Sequence, residues 1–478
     1  MTQPKIRLLS PDQKSSIHAR SMDILGEVGM YFGSRRALRL FDGVGCEVDW
    51  SGGSVRIPGD VIERALETVP SQFLAAGIDG SQDLNCGADK MIYTSAGQAP
   101  WYRDLDSRQR RPGTSADLVQ CTRLVDAIDE IDIHAPLVLP QDVPKELRDL
   151  ESLRVTLEHS RKHFLVGARD LRTLPYVLEM MDVVLGDRER LVQRPILTLV
   201  TEPVSPLRNK GLQVDVTLEW APYKVPVGFG TMPMAGATSP ASLAGTVLLA
   251  NAEFLGNMAL YQLAQPGWPI YWTVMPATLD MRSGFLAVGV EAAMMSVALI
   301  EMAQLYAVPC EAMHICAVDA KSIGFQSGME SIFVGLINAL AGADGLWGPA
   351  DLDCYSMVDP AFLYLSVEAV RQINRILEGI CLDEERFLFE AISELSFTGD
   401  YLAHPSTKRY FLQEHVRPEI FPRESYEAWE RRGRSEETLA VGLVKEVLSE
   451  QEPPRLPEHV SKELDRILVV ARKALCGF

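Results

Sequence analysis

Eight short apolar runs alternate with segments of helical periodicity through the middle of the chain, and few folds accept that rhythm. The runs are Met91–Ala96, Ile131–Leu139, His163–Ala168, Ile196–Thr201, Val225–Met232, Pro269–Met275, Cys310–Cys316 and Gly345–Gly348. Between them, helical spacing covers Ser115–Ile128, Lys145–His159, Leu171–Leu185, Lys210–Trp220, Ala241–Leu263, Phe285–Tyr306 and Gln326–Ala341, with an eighth helix over Ala361–Leu377. Eight strands, each followed by a helix, predict an α/β fold of the TIM (β/α)8 barrel type over residues 86–380. An open doubly wound sheet is the competing arrangement. No glycine-rich phosphate loop marks a switch point for it, and Gly228-x-Gly230 is a lone pair.

The flanks read differently. Residues 1–85 predict an α+β lead-in. It has helical spacing over residues 10–30, a helix over Ser34–Phe41, a hairpin in CEVDWSGGSVRIP and a helix opening at Pro58. Residues 381–478 predict a helical extension. Its two amphipathic segments, Glu436–Ser449 and His459–Leu475, are expected to pack on the barrel or on a partner subunit.

Composition narrows the function. A net charge of −18 leaves no clustered Lys and Arg for phosphate contacts, which argues against nucleic acid and against an anionic membrane surface. The least charged stretch, between Lys224 and Glu253, is broken by Pro226, Pro233, Gly236 and Pro240, so it reads as a buried strand and helix and not a membrane span. The N-terminus has no apolar core of signal-peptide length, and the eight cysteines form no CxxC. A reduced, cytoplasmic chain is the expectation.

Barrel chemistry sits on the loops after the strands. The rim candidates are therefore Ser95, Gln98, Gln141, Asp142, Arg169, Asp170, Thr201, Glu202, Thr231, Met234, Trp272, Met275, His314, Cys316, Asp319, Trp347 and Asp351. No HxH follows the first strand. Aromatics crowd the strand ends instead: Tyr93, Trp101, Tyr102, Tyr271, Trp272, Phe325 and Trp347. Rings around a pocket attract a cation, quaternary ammonium above all, although core packing is the plainer role for any one of them. Tyr271 and Trp272 must point to opposite faces, so only one can line the barrel.

The stretch Pro309–Asp353 concentrates the remaining chemistry. His314 and Cys316 share one strand face and could be two zinc ligands, with Cys354 or Cys381 as a third, or a buried polar residue beside a small apolar one. Gln326 and Glu330 lie on one side of a helix, as hydrogen-bond donor and acid or as a polar helix start. Lys321 could hold a substrate carboxylate or cap its turn. Asp170, Asp280 and Asp351 are possible bases, and Arg169 and Arg282 possible anion partners, against the plainer reading of solvated loops.

Over most of its length the chain resembles the trimethylamine methyltransferase family of corrinoid-dependent enzymes. The likeness is carried by SIHARSMDILGEVGMYF, VRIPGDVIERALETVP, DLDSRQRRPGTSADLVQCTRLVDAIDEID, PVSPL at Pro203–Leu207, GATSPASLAGTVLLANAEFLG, QLAQPGWPIYW and GDYLAHPSTKRYF. The segment VDAKSIGFQSGME resembles the family's D-x-K…Q-x-x-x-E, here Asp319, Lys321, Gln326 and Glu330. The resemblance implies a barrel whose cavity takes a methylated amine and passes a methyl group to the cobalt of a separate corrinoid protein. Founding members carry pyrrolysine, whereas this sequence holds only standard residues. That implies the branch acting on quaternary amines such as glycine betaine. After the eighth strand, where many relatives carry His-Asp ahead of a glycine, this chain reads Trp347-Gly348-Pro349-Ala350.

These readings give a set of expectations. Trp347, Trp272 and Tyr93 would form a cation box. His314, Glu330 and Gln326 would be catalytic, and Lys321, Asp319 and Gly348 would complete the substrate contacts. The corrinoid (cobalamin) would arrive on its partner protein at an open barrel mouth, with no tightly bound cofactor and no metal in this chain, and the chain would be a homo-oligomer. Two rival readings are a zinc-dependent methyltransferase that activates a thiol acceptor and a barrel that binds methylated amines without turnover.

Overall fold

A computed structural model describes residues 5–88, 90–167, 170–313, 318–397, 399–450 and 456–477. Eight parallel strands close into a barrel: β1 (Ile92–Thr94), β2 (Ile133–His134), β3 (His163–Gly167), β4 (Leu197–Thr201), β5 (Val227–Thr231), β6 (Ile270–Val274), β7 (Cys310–Met313) and β8 (Gly345–Trp347). Each lies inside one of the eight apolar runs, and β8 closes on β1 with Trp347 opposite Thr94. The surrounding helices are α1 (Ser115–Ala127), α2 (Arg148–His159), α3 (Leu174–Leu185), α4 (Gly211–Glu219), α5 (Leu243–Ala264), α6 (Val290–Leu305), α7 (Phe325–Ala341) and α8 (Pro360–Glu378). Their starts are set by local chemistry. Thr114 and Asp117 form a capping box at α1, Ser242 caps α5, and Asp359 with Pro360 opens α8.

One helix starts five residues later than its spacing predicts. α6 begins at Val290, because Leu286–Ala287 pairs as a strand with Ala277–Leu279. The Asp280 carboxylate accepts from the backbone of Arg282 and Ser283 and fixes the hairpin turn. A second feature carries no periodic signal. Trp101–Arg103, Arg110–Pro112, Asp351–Leu352 and Met357–Val358 form a four-stranded sheet from the loops after β1 and β8. Strands of two or three residues are too short to alternate legibly.

The lead-in is stitched to the barrel. Met30–Phe32 pairs antiparallel with Ser54–Arg56 and parallel with Arg208–Asn209, which follows β4. Helices Pro11–Asp23 and Gly59–Leu66 pack on α5, and one hydrophobic core runs through lead-in and barrel alike. By length and composition α5 could cross a membrane, but here it is buried along most of its length between those helices and the barrel. The hairpin of Phe73–Ala75 and Leu84–Cys86 closes the barrel's N-terminal end, where Phe73 stacks on Tyr271 with ring centroids 5.9 Å apart. Of the C-terminal helices, Glu436–Glu450 packs on α8 and Glu458–Cys476 on α3.

Candidate functional site

Strand alternation decides which aromatics the barrel encloses. On β6, Tyr271 and Thr273 point inward. Trp272 points into the helix layer, fully buried, stacked on Phe254 at 4.3 Å, with Nε1 donating to Thr231 Oγ1 at 2.8 Å. On β1, Thr94 faces the interior and donates to Glu311, while Tyr93 faces outward and its hydroxyl donates to Asn374 Oδ1 at 2.6 Å. Trp272 and Tyr93 therefore belong to the packed core and not to a cation box. A one-residue step along each strand separates the two outcomes.

Trp347 does reach the interior. It lines a cavity of about 130 Å³ at the C-terminal end of the barrel, with Gln98, Leu165, Val200, Glu202 and Gln213. At a liquid share of ~30 Å³ per water, this holds about four waters or one small headgroup. Trp347 ends β8 and Glu202 follows β4, four strands away in an eight-stranded barrel, so indole and carboxylate stand on opposite walls. Trp347 Nε1 and Gln98 Oε1 are buried without a hydrogen-bond partner among the described residues. Gln98 is held there in a left-handed conformation, φ 59°, by its backbone N–H to Pro136 O at 2.6 Å. Gly348 has φ 120°, a region open to glycine, and its N–H bonds Thr94 O at 3.2 Å.

Two glycines make the room. A β-carbon on Gly228 would lie 2.6 Å from Tyr271 Cζ, and one on Gly230 would lie 2.4 Å from Met275 Cε and 3.2 Å from Glu202 Cγ. Gly228-x-Gly230 is thus a hollow in the barrel wall for three neighbouring side chains.

Asp319, Lys321, Gln326 and Glu330 come together, but as a clamp on the loop after β7. Both Asp319 carboxylate oxygens accept from Val288 N–H at 3.2 Å, and the Cys354 thiol donates to Asp319 Oδ1 at 2.6 Å. Lys321 Nζ donates to Asp319 O at 2.6 Å and pairs with Asp353 Oδ1 at 2.8 Å. Gln326 Nε2 donates to Glu330 Oε1 at 2.7 Å, and Glu330 Oε2 accepts from Ala320 N–H at 3.2 Å. Lys321 and Gln326 are exposed, and none of the four lines the cavity. His314, Cys316 and Arg169 lie outside the described residues. Among the described residues no cluster of three metal-binding side chains occurs, and burial pushes the Cys354 thiol far above its ordinary range, away from thiolate. Cys381 sits with Asp383 at 3.1 Å.

Two buried acids complete the picture. Glu311, inward on β7, is 6 % exposed. Burial pushes its carboxyl up to about 7, against the pull of the Thr94 and Thr273 hydroxyls. Asp351 is buried with neither carboxylate oxygen partnered among the described residues, and burial alone holds it well above the usual carboxylate range. Sequence reasoning passed over Glu311 and Gln213. The signal for Glu311 was a lone carboxylate inside an apolar run; Gln213, on α4, gave none.

The profile of the trimethylamine methyltransferase (MTTB) family matches residues 1–477. Trimethylamine methyltransferase MttB of Desulfitobacterium hafniense (strain DSM 10664 / DCB-2) is 27% identical over 461 residues, covering 96% of this chain and 92% of that one. Glycine betaine methyltransferase of Desulfitobacterium hafniense (strain Y51) is 26% identical over 468 residues, 97% of each chain. The crystal structure of Methanosarcina barkeri monomethylamine methyltransferase (MtmB) superposes with a TM-score of 0.52 at 11% identity, covering 99% of this chain and 88% of that one, a likeness of fold alone. With a match from end to end and a closed eight-stranded barrel under it, the chain belongs to the trimethylamine methyltransferase family.

Proposed function

We propose that this protein removes a methyl group from a quaternary or otherwise N-methylated amine, betaine-like in character, and delivers it to the Co(I) of a separate corrinoid protein. The observation that carries the reading is the cavity shared by Trp347 and Glu202 at the catalytic end of a barrel of this family. An indole on one wall and the exposed Glu202 on the other favour a positive charge between them. The buried Trp347 N–H offers a donor to a substrate carboxylate, and the Gln98 side chain lines the same cavity.

The corrinoid, carried by its partner protein, supplies the nucleophile. What fits a partner-borne group is the mouth, where Met281 and Phe285 on the loop after β6 and Phe325 at the start of α7 are exposed. An apolar rim of that kind suits a docking protein that seals the cavity from water. The chain's own part is then positional. Trp347 and Glu202 hold the cation, Gln98 and the indole N–H orient the rest, and the apolar Leu165 and Val200 exclude water. The C–N bond breaks with its electron pair on nitrogen, so a quaternary nitrogen leaves as a neutral amine and needs no proton.

The test mixes enzyme, reduced corrinoid protein and a panel of methylated amines, and follows the cobalt absorbance. Conversion with at least one betaine is expected. No conversion with any of them, using a corrinoid protein that a known family enzyme can methylate, overturns the proposal.

A further inference from the structure

A carboxyl group stands inside the barrel one layer beneath the substrate cavity. Glu311 on β7 is in register with Gly345 on β8, and Trp347 lies two residues further along the same inward face. Strands rise ~3.3 Å per residue and lie ~4.8 Å apart, which puts the carboxyl within about 10 Å of a cation held against the indole. Gly345 makes the room, since a β-carbon there would lie 3.4 Å from Glu311 Cγ. The Thr94 hydroxyl donates to Oε1, while Oε2 is buried without a partner among the described residues.

Glu311 also lines a second cavity, of about 30 Å³, with room for one water. Thr198, Tyr271, Cys86, Cys310 and Asp344 line it from the neighbouring elements. Burial pushes the Tyr271 hydroxyl and both thiols far above their ordinary ranges, so they stay neutral. Behind Thr198, the His163 ring accepts or donates at 2.8 Å, and burial holds it neutral by lowering it to about 4. Asp344, raised by burial, accepts from Cys310 N–H at 2.8 Å. No Lys or Arg lines this cavity among the described residues, so Glu311 meets no cation of the protein's own. Gly87 and Asp344 border a further hollow as well, of about 700 Å³, beside Lys5, Lys90 and Asp132 at the barrel's N-terminal end. One water and one carboxylate thus join Oε2 to the outside.

We infer that Glu311 is the counter-charge to the substrate cation, a neutral acid in the free protein that gives up its proton as a quaternary ammonium settles above it. This rests on the cation-binding role proposed for the upper cavity. The O–H bond of Glu311 breaks with its electron pair left on the carboxylate. The proton passes to the cavity water, then to Asp344, and leaves at the N-terminal end while the cation enters at the other. The charge of the barrel interior is unchanged by the exchange. A neutral ligand of the same shape gains nothing from it, so Glu311 adds selectivity for cations. Glu202 is exposed and screened by water, whereas Glu311 acts through a dry interior.

At ~10 Å and an effective dielectric of ~20, an opposite charge moves a proton equilibrium about tenfold. Calorimetric titration of the full chain with tetramethylammonium at pH 6.5, in buffers of different ionisation enthalpy, counts the protons exchanged. With the free carboxyl at about 7, the wild type should release about half a proton per cation bound. Its affinity should rise about tenfold from pH 5 to pH 8. Glu311→Gln should release none and bind with an affinity independent of pH. If that variant does not fold, the infrared difference spectrum of the wild type decides: binding should remove the carbonyl band of a protonated, buried carboxyl. Binding without proton release, or release that persists in Glu311→Gln, overturns this inference and leaves the reading of the upper cavity standing. No binding at any pH overturns both.

Discussion

Gly97 and Trp347 meet in the wall of the cavity: a β-carbon on Gly97 would stand 3.4 Å from Trp347 Cζ2. The bare backbone at 97 leaves the indole room at the mouth of the barrel. Trp347→Leu would remove a cation–π contact of ~0.5–2 kcal/mol, so affinity for a quaternary ammonium should fall about two- to thirtyfold, at ~1.4 kcal/mol per factor of ten. Trp347→Phe keeps a ring and loses the N–H, so it should weaken a betaine more than it weakens tetramethylammonium. Calorimetric titration of both ligands reads the two effects separately. Unchanged affinity in the leucine variant would remove Trp347 from the site.

On the neighbouring strands β5 and β6, Gly228 faces the ring of Tyr271. The 2.6 Å approach that alanine would impose on Tyr271 Cζ is with a ring buried under Phe73, which cannot swing away. Gly228→Ala should therefore destabilise the protein by about 1–3 kcal/mol, the usual cost of overpacking. Combined with Tyr271→Ala, it should cost less than the two changes sum to, because the second opens the space the first needs. Urea denaturation of the four proteins measures the coupling. Strict additivity would mean the clash is relieved elsewhere.

The barrel was legible because its strands, some only two or three residues long, sit inside longer apolar runs that stand out between helices, and β1–β8 fall within those runs. Which face each side chain takes was not. Tyr93 and Trp272 differ from inward positions by one residue, and a run apolar on both faces carries no period-two signal to fix the phase. Trp347 was legible as an aromatic at a strand end. The clamp of Asp319, Lys321 and Glu330 was visible as a motif, yet its spacing resembles a catalytic set, and only the bonds to Val288, Asp353 and Ala320 reveal a holding role.

That role has a consequence for Lys321. Its ammonium is exposed and paired with Asp353 at the surface, outside the cavity. Exposed pairs are worth ~0–1 kcal/mol, so Lys321→Met should change stability by less than about 1 kcal/mol. Methyl transfer should stay within a fewfold of the wild type. Loss of kcat by two orders of magnitude with stability intact would return Lys321 to the substrate.

Glu311 sets a pH dependence that can be read in unfolding. Its carboxyl titrates near an ordinary 4.5 in the unfolded chain and at about 7 in the folded one. Below about 4.5 both states hold the proton. As pH rises the unfolded chain releases it first, so unfolding is favoured progressively until about 7, where the folded chain ionises too. At ~1.4 kcal/mol per unit the lost stability is about 3 kcal/mol across that window. Glu311→Gln keeps the shape and the bond to Thr94 but cannot ionise. Its stability relative to wild type should therefore grow by about 3 kcal/mol from pH 4 to pH 8, measured by urea unfolding at each pH. Parallel curves would mean that Glu311 is already ionised in the folded protein, and that a cation or a charged partner compensates it inside the barrel.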